Sequence, residues 1–545
     1  MFMKTIFTII TFIFLSHNYL FSHFDMILAD DPILEDIRFL SLESRSPFLS
    51  FTPPLSPGKI RGFLDRIDRD VLSSSGREAY NRVRARLTPV ASISYSDELF
   101  SLLFDLNSTV EGIARFNSDI SLYPRYSHIT PLISAPLRMS FANMIQLYFE
   151  PIFAVNSRIH GRDVFGINIP TEYDHINHDL SIRAFGAIGG NWWNFQIGRD
   201  RLFWGTAHTG SLTFSDNAPH FDFARLSLFS SSVKYSVVVN QMPLRLTSRL
   251  FPDPGSSAYP SGWDDPANPQ HVLQRYFYLH RLDFRLFNRL SIGIMEGIMV
   301  GNSSIELRYL NPIIFFHSLF AWNDFPVWAP NEGSMVGSFA SVEFNWNIIN
   351  NLSLYGQVVM NEFTLPGETD EHPNALGYLL GIQFAHSFGN WRKISFLELI
   401  YTDPYLFILS SPFASFIQMD RLGNYFFIGH PRDTISLSLG ANFFYRNILN
   451  LSTKFSWIAS GQHNDNDETN GLTWDWERGP DAVRRRTPTG TAENKFILSL
   501  AAGWQARPWL QFNAGLTGIV SLNNNHISGN NQIGGQASFS VGFRY

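Results

Sequence analysis

Sugar recognition calls for flat aromatic faces beside planar polar groups that can bond hydroxyls. Two stretches of this 545-residue chain supply both. One is Trp263 followed by Asp264 and Asp265. The other is Trp474, Asp475 and Trp476, with Arg484, Arg485 and Arg486 close behind, a set suited to an acidic sugar. The competing reading makes these tryptophans interface anchors, or packing for their own loops. A third concentration lies in residues 198–226. It holds Arg199, Arg201, Trp204, His208, Asp216, Asn217 and Asp222. Other chemistries are poorly served. Asp465, Asp467 and Glu468 miss the calcium-loop spacing, because Trp476 stands where the last ligand belongs. There is no Gly-x-Ser-x-Gly and no His-Glu-x-x-His. Ser231 and Lys234 form Ser-x-x-Lys without the rest of that signature. Neither a metal nor a cofactor is expected, and no catalytic residue is named.

The elements that must position these residues follow from composition. Hydrophobic residues make up 45% of the chain and charged ones only 16%, against about 25% in ordinary soluble domains. Such a chain is not disordered. Its net charge of −6 offers nothing to nucleic acid, and zero cysteines exclude thiol chemistry and disulfides. Residues 1–15 carry Lys4 and then an uncharged apolar run, too short to span a bilayer but suited to a signal peptide. We assign residues 1–29 to that signal, with Ser22 and Ala29 as candidate cleavage points and a retained anchor as the alternative. Residues 30–88 read as a small domain of about three helices. Ile33, Ile37 and Leu40 share one face; Ser56-Pro57 opens a second helix whose stripe is Ile60, Leu64, Ile67 and Val71; Ser75 and Glu78 form a capping box for a third.

From residue 89 the period becomes two. Ala537, Phe539, Val541, Phe543 and Tyr545 alternate with small polar residues, as do Ile435, Leu437, Leu439, Ala441, Phe443 and Tyr445. Rows of about ten residues, apolar on one face and small and polar on the other, are the signature of a transmembrane barrel. The fold class is therefore an all-β antiparallel outer-membrane barrel of about 18 strands over residues 89–545, behind the helical domain. Tyr545 is expected to close the last strand on the first, with Phe539, Val541 and Phe543 facing lipid. Residues 251–271, 461–494 and 523–535 read as long extracellular loops. Charges in the wall must face the lumen or the rims, so the 198–226 cluster reads either as a lumen network or as a ligand contact. A soluble β-sandwich or propeller is the alternative fold.

Residues 198–226 also carry a resemblance. Gly198-Arg199, Trp204-Gly205, Gly210-Ser211-Leu212 and Asn217-Ala218-Pro219 resemble the signature of the Wzi capsule-assembly family. Leu310-Asn311-Pro312, Tyr355-Gly356-Gln357 with Asn361-Glu362-Phe363, Leu397-Glu398, Tyr401-Thr402 and Gly429-His430-Pro431 follow in family order. Thr206 stands where the family often has proline. The resemblance implies an outer-membrane barrel with a helical domain at its periplasmic side. It implies a non-enzymatic surface lectin that holds capsular or other extracellular polysaccharide. The implied partners are that glycan, outer-membrane lipid and the barrel-assembly machinery. The alternatives are a porin or uptake channel, or an outer-membrane hydrolase. Whether the lumen is filled separates the lectin from the channel.

Overall fold

The computed structural model describes residues 24–88, 91–97, 99–117, 120, 130–155, 165–177, 181–215, 220–242, 244–246, 271–301, 305–319, 328–329, 333–334, 336–362, 374–409, 414–419, 425–427, 429–462 and 486–545. Period-two segments form a closed antiparallel barrel of 18 strands, from Asn107–Phe116 to Gln532–Arg544. The second strand, over residues 133–141, is interrupted at Ala135-Pro136, where the ladder loses an N–H donor. Closure pairs Gly535 with Phe116 through to Arg544 with Asn107. Tyr545 then exchanges both backbone bonds with Leu106, at 2.8 and 3.1 Å. In this way the wall leaves no open edge, which hydrocarbon would not tolerate.

The two faces separate as the alternation requires. Leu437 and Leu439 point outward and are exposed, whereas Ser436 and Ser438 point inward and are buried. Phe539 points outward with them. Ile519 breaks the alternation for a reason: it lies inside, packed with Ile120, Ile458 and Ile497. At one end the strands turn tightly, and aromatic pairs ring that rim, including Trp391 with Tyr445 and Trp504 with Phe512. Long connections leave the other end. No described helix is long and apolar enough to cross a membrane; the crossing is made by strands.

The helical part docks at the tight-turn end. It comprises α1 (Ile33–Glu43), α2 (Pro57–Leu64) and α3 (Ser74–Arg86). Pro57 takes the first-turn position behind Ser56, as expected, although the Ser56 side chain makes no cap bond. Two details depart from the sequence reading. The cap of α3 is Ser73, whose hydroxyl accepts from Gly76 N at 3.0 Å. Ser75 instead donates to the carbonyls of Gly389 and Trp391 in a barrel turn, and that tertiary bond displaces the capping box. Val71 is exposed, because α2 ends at Leu64 and its stripe does not continue. The arginines of α3 meet acids: Arg82 grips Asp36 with two bonds of 2.8 Å, and Arg86 pairs with Asp25 and Asp31. Arg392 of the wall also pairs with Asp36, tying helices to barrel. Chain upstream of α1 belongs to the same unit. Phe24 and Met26 pack on Tyr148 and Phe185, and Ile27 exchanges backbone bonds with Leu55.

The lumen is filled from both ends. Residues 47–55 enter from the helical side. Their carbonyls meet wall cations: Pro54 and Thr52 accept from Arg225, at 2.6 and 3.3 Å, and Pro47 accepts from Arg285 at 2.7 Å. Residues 201–215 and 403–409 with 414–417 enter from the opposite end. They bring Leu202, Trp204, Leu212, Phe214, Phe407 and Phe416 into one apolar core with wall residues Phe277 and Phe339. The two insertions meet, since Gly205 N bonds Phe51 O at 2.8 Å. An 18-strand wall encloses more space than its own side chains fill, and these segments occupy the part bordered by the strands from Trp193–Asp200 to Trp391–Thr402, whereas inward Asn513 and Thr517 on Leu510–Leu522 stay partly exposed. We expect planar-bilayer recordings of the purified barrel to show no large, steady conductance; porin-like steps would contradict the packing described.

Candidate functional site

Residues 198–215 start as wall and become plug. Trp193–Asp200 is a strand whose inward positions are Asn194, Gln196 and Asp200. Beyond it the chain turns into the lumen through Gly205, at φ +117°. A Cβ at Gly205 would stand 2.3 Å from the Gln357 amide nitrogen, so glycine is needed for both backbone conformation and close approach.

Far-wall side chains hold the inserted segment by its backbone. Glu398 accepts from His208 N at 2.5 Å, from the Thr209 hydroxyl, and from Tyr355 OH at 2.6 Å. Gln357 accepts from Leu212 N at 2.8 Å and from Ser211 Oγ at 3.1 Å, and its amide nitrogen donates to Trp204 O at 3.3 Å. Arg281 lies over the Trp204 ring at 5.5 Å while pairing with Asp283 and Glu343. The helical part reaches the same place. Arg38 of α1 donates to Thr206 O at 2.5 Å and sits 3.0 Å from His208 Nε2. The His208 ring stacks on Phe396 with centroids 4.3 Å apart. A second tie runs through Arg183, which joins Asp200 at 3.0 Å to Asp30 at 2.7 Å.

The sequence candidates therefore separate into groups. Trp204 and His208 lie in the lumen network. Arg201 follows Asp200 at the turn into the lumen and is half-buried. Arg199 and Asp222 depart from the lumen reading. They are register partners on the outward face at the long-loop rim, 3.1 Å apart and about half exposed. Their strand phase is one residue from that of Asp200, so they face out. At the rim a paired charge costs little, because the lipid-face penalty falls to about 0–1 kcal/mol near the interface. Asp216, Asn217, Trp263, Asp264, Asp265, Trp474, Asp475, Trp476, Arg484 and Arg485 lie outside the described residues, as do Asp465, Asp467 and Glu468. Arg486 is described and exposed at the long-loop end.

Sequence reading gave no role to Asp200, Glu343, Gln383, Arg38 or Arg281, nor to Tyr355, Gln357 and Glu398 beyond their place in a motif. Their signal was available in part. Each wall member of the set is a polar or ionisable side chain at an inward position of its strand.

One consequence can be measured. Burial, with the Arg38 guanidinium alongside, holds the His208 imidazole well below its ordinary 6.5. Nε2 lies 3.0 Å from both the Arg38 guanidinium and the Gln383 amide oxygen, and proton uptake would set a buried imidazolium against that guanidinium. The unfolded chain binds a proton below 6.5 that the folded chain refuses, so stability falls as pH drops through that value. The slope is at most about 1.4 kcal/mol per pH unit. Denaturation midpoints in detergent should therefore fall between about pH 7.5 and about pH 5. His208→Asn should flatten this slope; equal acid sensitivity in the variant would remove His208 as its source.

Comparison with known proteins agrees with this architecture. No curated protein sequence matches the chain. Among solved structures, the Escherichia coli outer-membrane protein Wzi, a carbohydrate-binding β-barrel involved in group 1 capsule assembly, is similar at 14% identity. That alignment covers 94% of this chain and 98% of the other, with a TM-score of 0.58. Pseudomonas aeruginosa OccD3 is more distant, at 8% identity, 82% and 91% coverage and a TM-score of 0.41. The family model for capsule assembly protein Wzi matches residues 138–416, which span the inserted motif and the far-wall side chains that hold it. On that match, the chain belongs to the Wzi capsule-assembly protein family.

Proposed function

We propose that this protein sits in the outer membrane, binds an extracellular or capsular polysaccharide on its long-loop end, and holds it at the cell surface. The observation that carries this reading is the set of segments packed across the lumen. Apolar and hydrogen-bonded segments occupy the interior, so the barrel offers a rigid rim and not a passage. That favours tethering over uptake, and the relative from Escherichia coli is itself a carbohydrate-binding barrel. A binding role is favoured over a catalytic one: Glu398, His208 and Tyr355 are spent on holding backbone and on one another.

The candidate glycan contacts are Trp263, Asp264 and Asp265 together with Trp474, Asp475, Trp476, Arg484, Arg485 and Arg486. Flanking strands support their grouping. Val233–Gln241 and Leu449–Ser460 both end at the long-loop rim, and Arg275–Leu286 and Glu493–Arg507 both begin there. The helical part, at the opposite rim, then faces the periplasm. A barrel ending on Tyr545 suits recognition by the assembly machinery through its last strand.

Stacking a sugar face on one tryptophan removes some 50–80 Å² of apolar area, worth roughly 1–2 kcal/mol. Such weak contacts serve a polymer, because many barrels engage one chain and avidity supplies retention. Trp474→Ala with Trp476→Ala should leave barrel levels normal and release polysaccharide into the medium. If the glycan is acidic, replacing Arg484, Arg485 and Arg486 by Gln should weaken retention most at low salt. Unchanged cell-bound polysaccharide in both variants would remove these loops from the site.

Processing gives a further test. Phe24, Asp25, Met26 and Ile27 are buried against the barrel and α3, so cleavage at Ser22 preserves packing that cleavage at Ala29 destroys. Terminal sequencing of the mature protein should begin at His23; a start after Ala29 would refute this boundary.

A further inference from the structure

The outward face of the wall carries an unusual polar patch on three adjacent strands. Tyr235 lies on Val233–Gln241, Tyr278 and His280 on Arg275–Leu286, and Glu296 on Leu290–Gly301. Register places His280 opposite Glu296 and Tyr235 opposite Leu282. All lie on the phase that faces lipid elsewhere, where Leu282 and Ile294 are open. Yet Tyr278, Ile298 and Val300 of the same face are almost fully buried, at 1%, 0% and 3% exposure.

Residues 305–319 cover them. This segment has a 3-10 turn at Leu307–Leu310 and a short helical turn at Phe316–Leu319. The Tyr309 ring packs on Tyr278 with centroids 4.9 Å apart, and Phe316 stacks on His280 at 4.3 Å. Tyr235 donates its hydroxyl hydrogen to the Pro312 carbonyl. The contacts reach far down the wall. His280 is at the middle of a 12-residue strand, and Tyr235 is close to the tight-turn end of its own.

The other side of the segment is mainly apolar, with Asn311 and Ser318 as exposed polar residues. Leu307 and Ile313 are each 85% exposed and Phe315 75%, with Ile305 and Leu310 also open. Part of its backbone is satisfied within the segment. Tyr309 N bonds Glu306 O, Asn311 N bonds Arg308 O, Ile314 N bonds Asn311 O and Ser318 N bonds Phe315 O. Ile313 N bonds the Asn311 side chain, and Pro312 brings no N–H at all. A loop in water needs none of this. A loop in hydrocarbon needs all of it, since each unsatisfied group there costs several kcal/mol.

We propose that residues 305–319 form a membrane-inserted flap, anchored by Tyr235 and His280, whose Leu307, Ile313 and Phe315 are covered by lipid acyl chains. Acyl chains are the chosen occupant because the exposed face continues the lipid-facing belt of Leu226, Leu228, Leu282 and Ile294. The Glu306–Arg308 pair, at 2.6 Å near the start of the segment, is placed to remain among headgroups. The flap gives an otherwise smooth cylinder a keyed outer surface, fixing which strands meet the surrounding lipid through an irregular element.

The absence of cysteine makes the test clean. Nitroxide labels are placed on Ile313→Cys and Phe315→Cys in the full-length protein, reconstituted in phospholipid vesicles. Leu282→Cys and Ile294→Cys serve as wall references and Ser528→Cys as a loop reference. Collision rates are read with oxygen, which concentrates in hydrocarbon, and with a water-soluble nickel chelate. The expected result is an oxygen preference at 313 and 315 equal to that of the wall references and opposite to that at 528. Nickel preference at 313 and 315 would overturn the proposal by placing the segment in water. Protection from both reagents would overturn it by showing a protein cover, a second copy or another partner. Tyr235→Phe with His280→Leu should shift both labels several-fold toward nickel; unchanged collision rates would overturn the anchoring.

Discussion

A guanidinium inside this barrel has to find oxygen, and the interior is organised around that demand. Arg225, Arg275 and Arg285 point inward from the wall, buried. Their partners are mainly backbone carbonyls of inserted segments: Pro54 and Thr52 for Arg225, Ser415 for Arg275, Pro47 for Arg285. A buried charge left unpaired costs several kcal/mol. A segment threaded through the lumen likewise has polar backbone that must be met. Each requirement answers the other. Arg225, Arg275 and Arg285 find carbonyls in the plug, and those cations, with Glu398 and Gln357, help to hold it.

The same logic governs the family motif. Its inserted residues are not aimed at solvent. Trp204 is nearly completely buried, and His208, Ser211 and Leu212 bond Glu398 and Gln357 from strands more than a hundred residues downstream. The motif turns a wall strand into a brace that connects three bodies: the near wall through Asp200, the far wall through Glu398 and Gln357, and the helical part through Arg38. A barrel so cross-tied is a stiff pedestal. Stiffness matters to a tether, because loops on a fixed rim lose less freedom on binding than loops on a breathing one.

The outer wall obeys the complementary constraint. Inside, polar groups gather carbonyls; outside, polar groups are excluded or covered. Arg199 and Asp222 survive outside by sitting at the rim as a pair. Tyr235, Tyr278 and His280 occur deeper, and there a folded-back segment meets them.

Much of this was legible in the residues alone. Alternation to the last residue dictates a closed antiparallel wall, because hydrocarbon permits no open edge, and Tyr545 does complete the seam with Leu106. Spacing of apolar residues locates the helices, and Pro57 marks the start of one. The candidate glycan loops could be named by residue type, though their geometry lies outside what is described. Tertiary structure alone decided the rest. Period two assigns alternate residues to opposite faces but does not say at which residue a strand leaves the wall, so Asp200 faces in and Arg199 out. Local capping preference chose Ser75, and a contact with Trp391 moved the cap to Ser73. Tyr355, Gln357 and Glu398 acquire their roles only when closure brings their strands opposite residues 204–212. Sequence periodicity is a local quantity; which buried charge meets which carbonyl across the lumen is set by the circumference of the closed barrel.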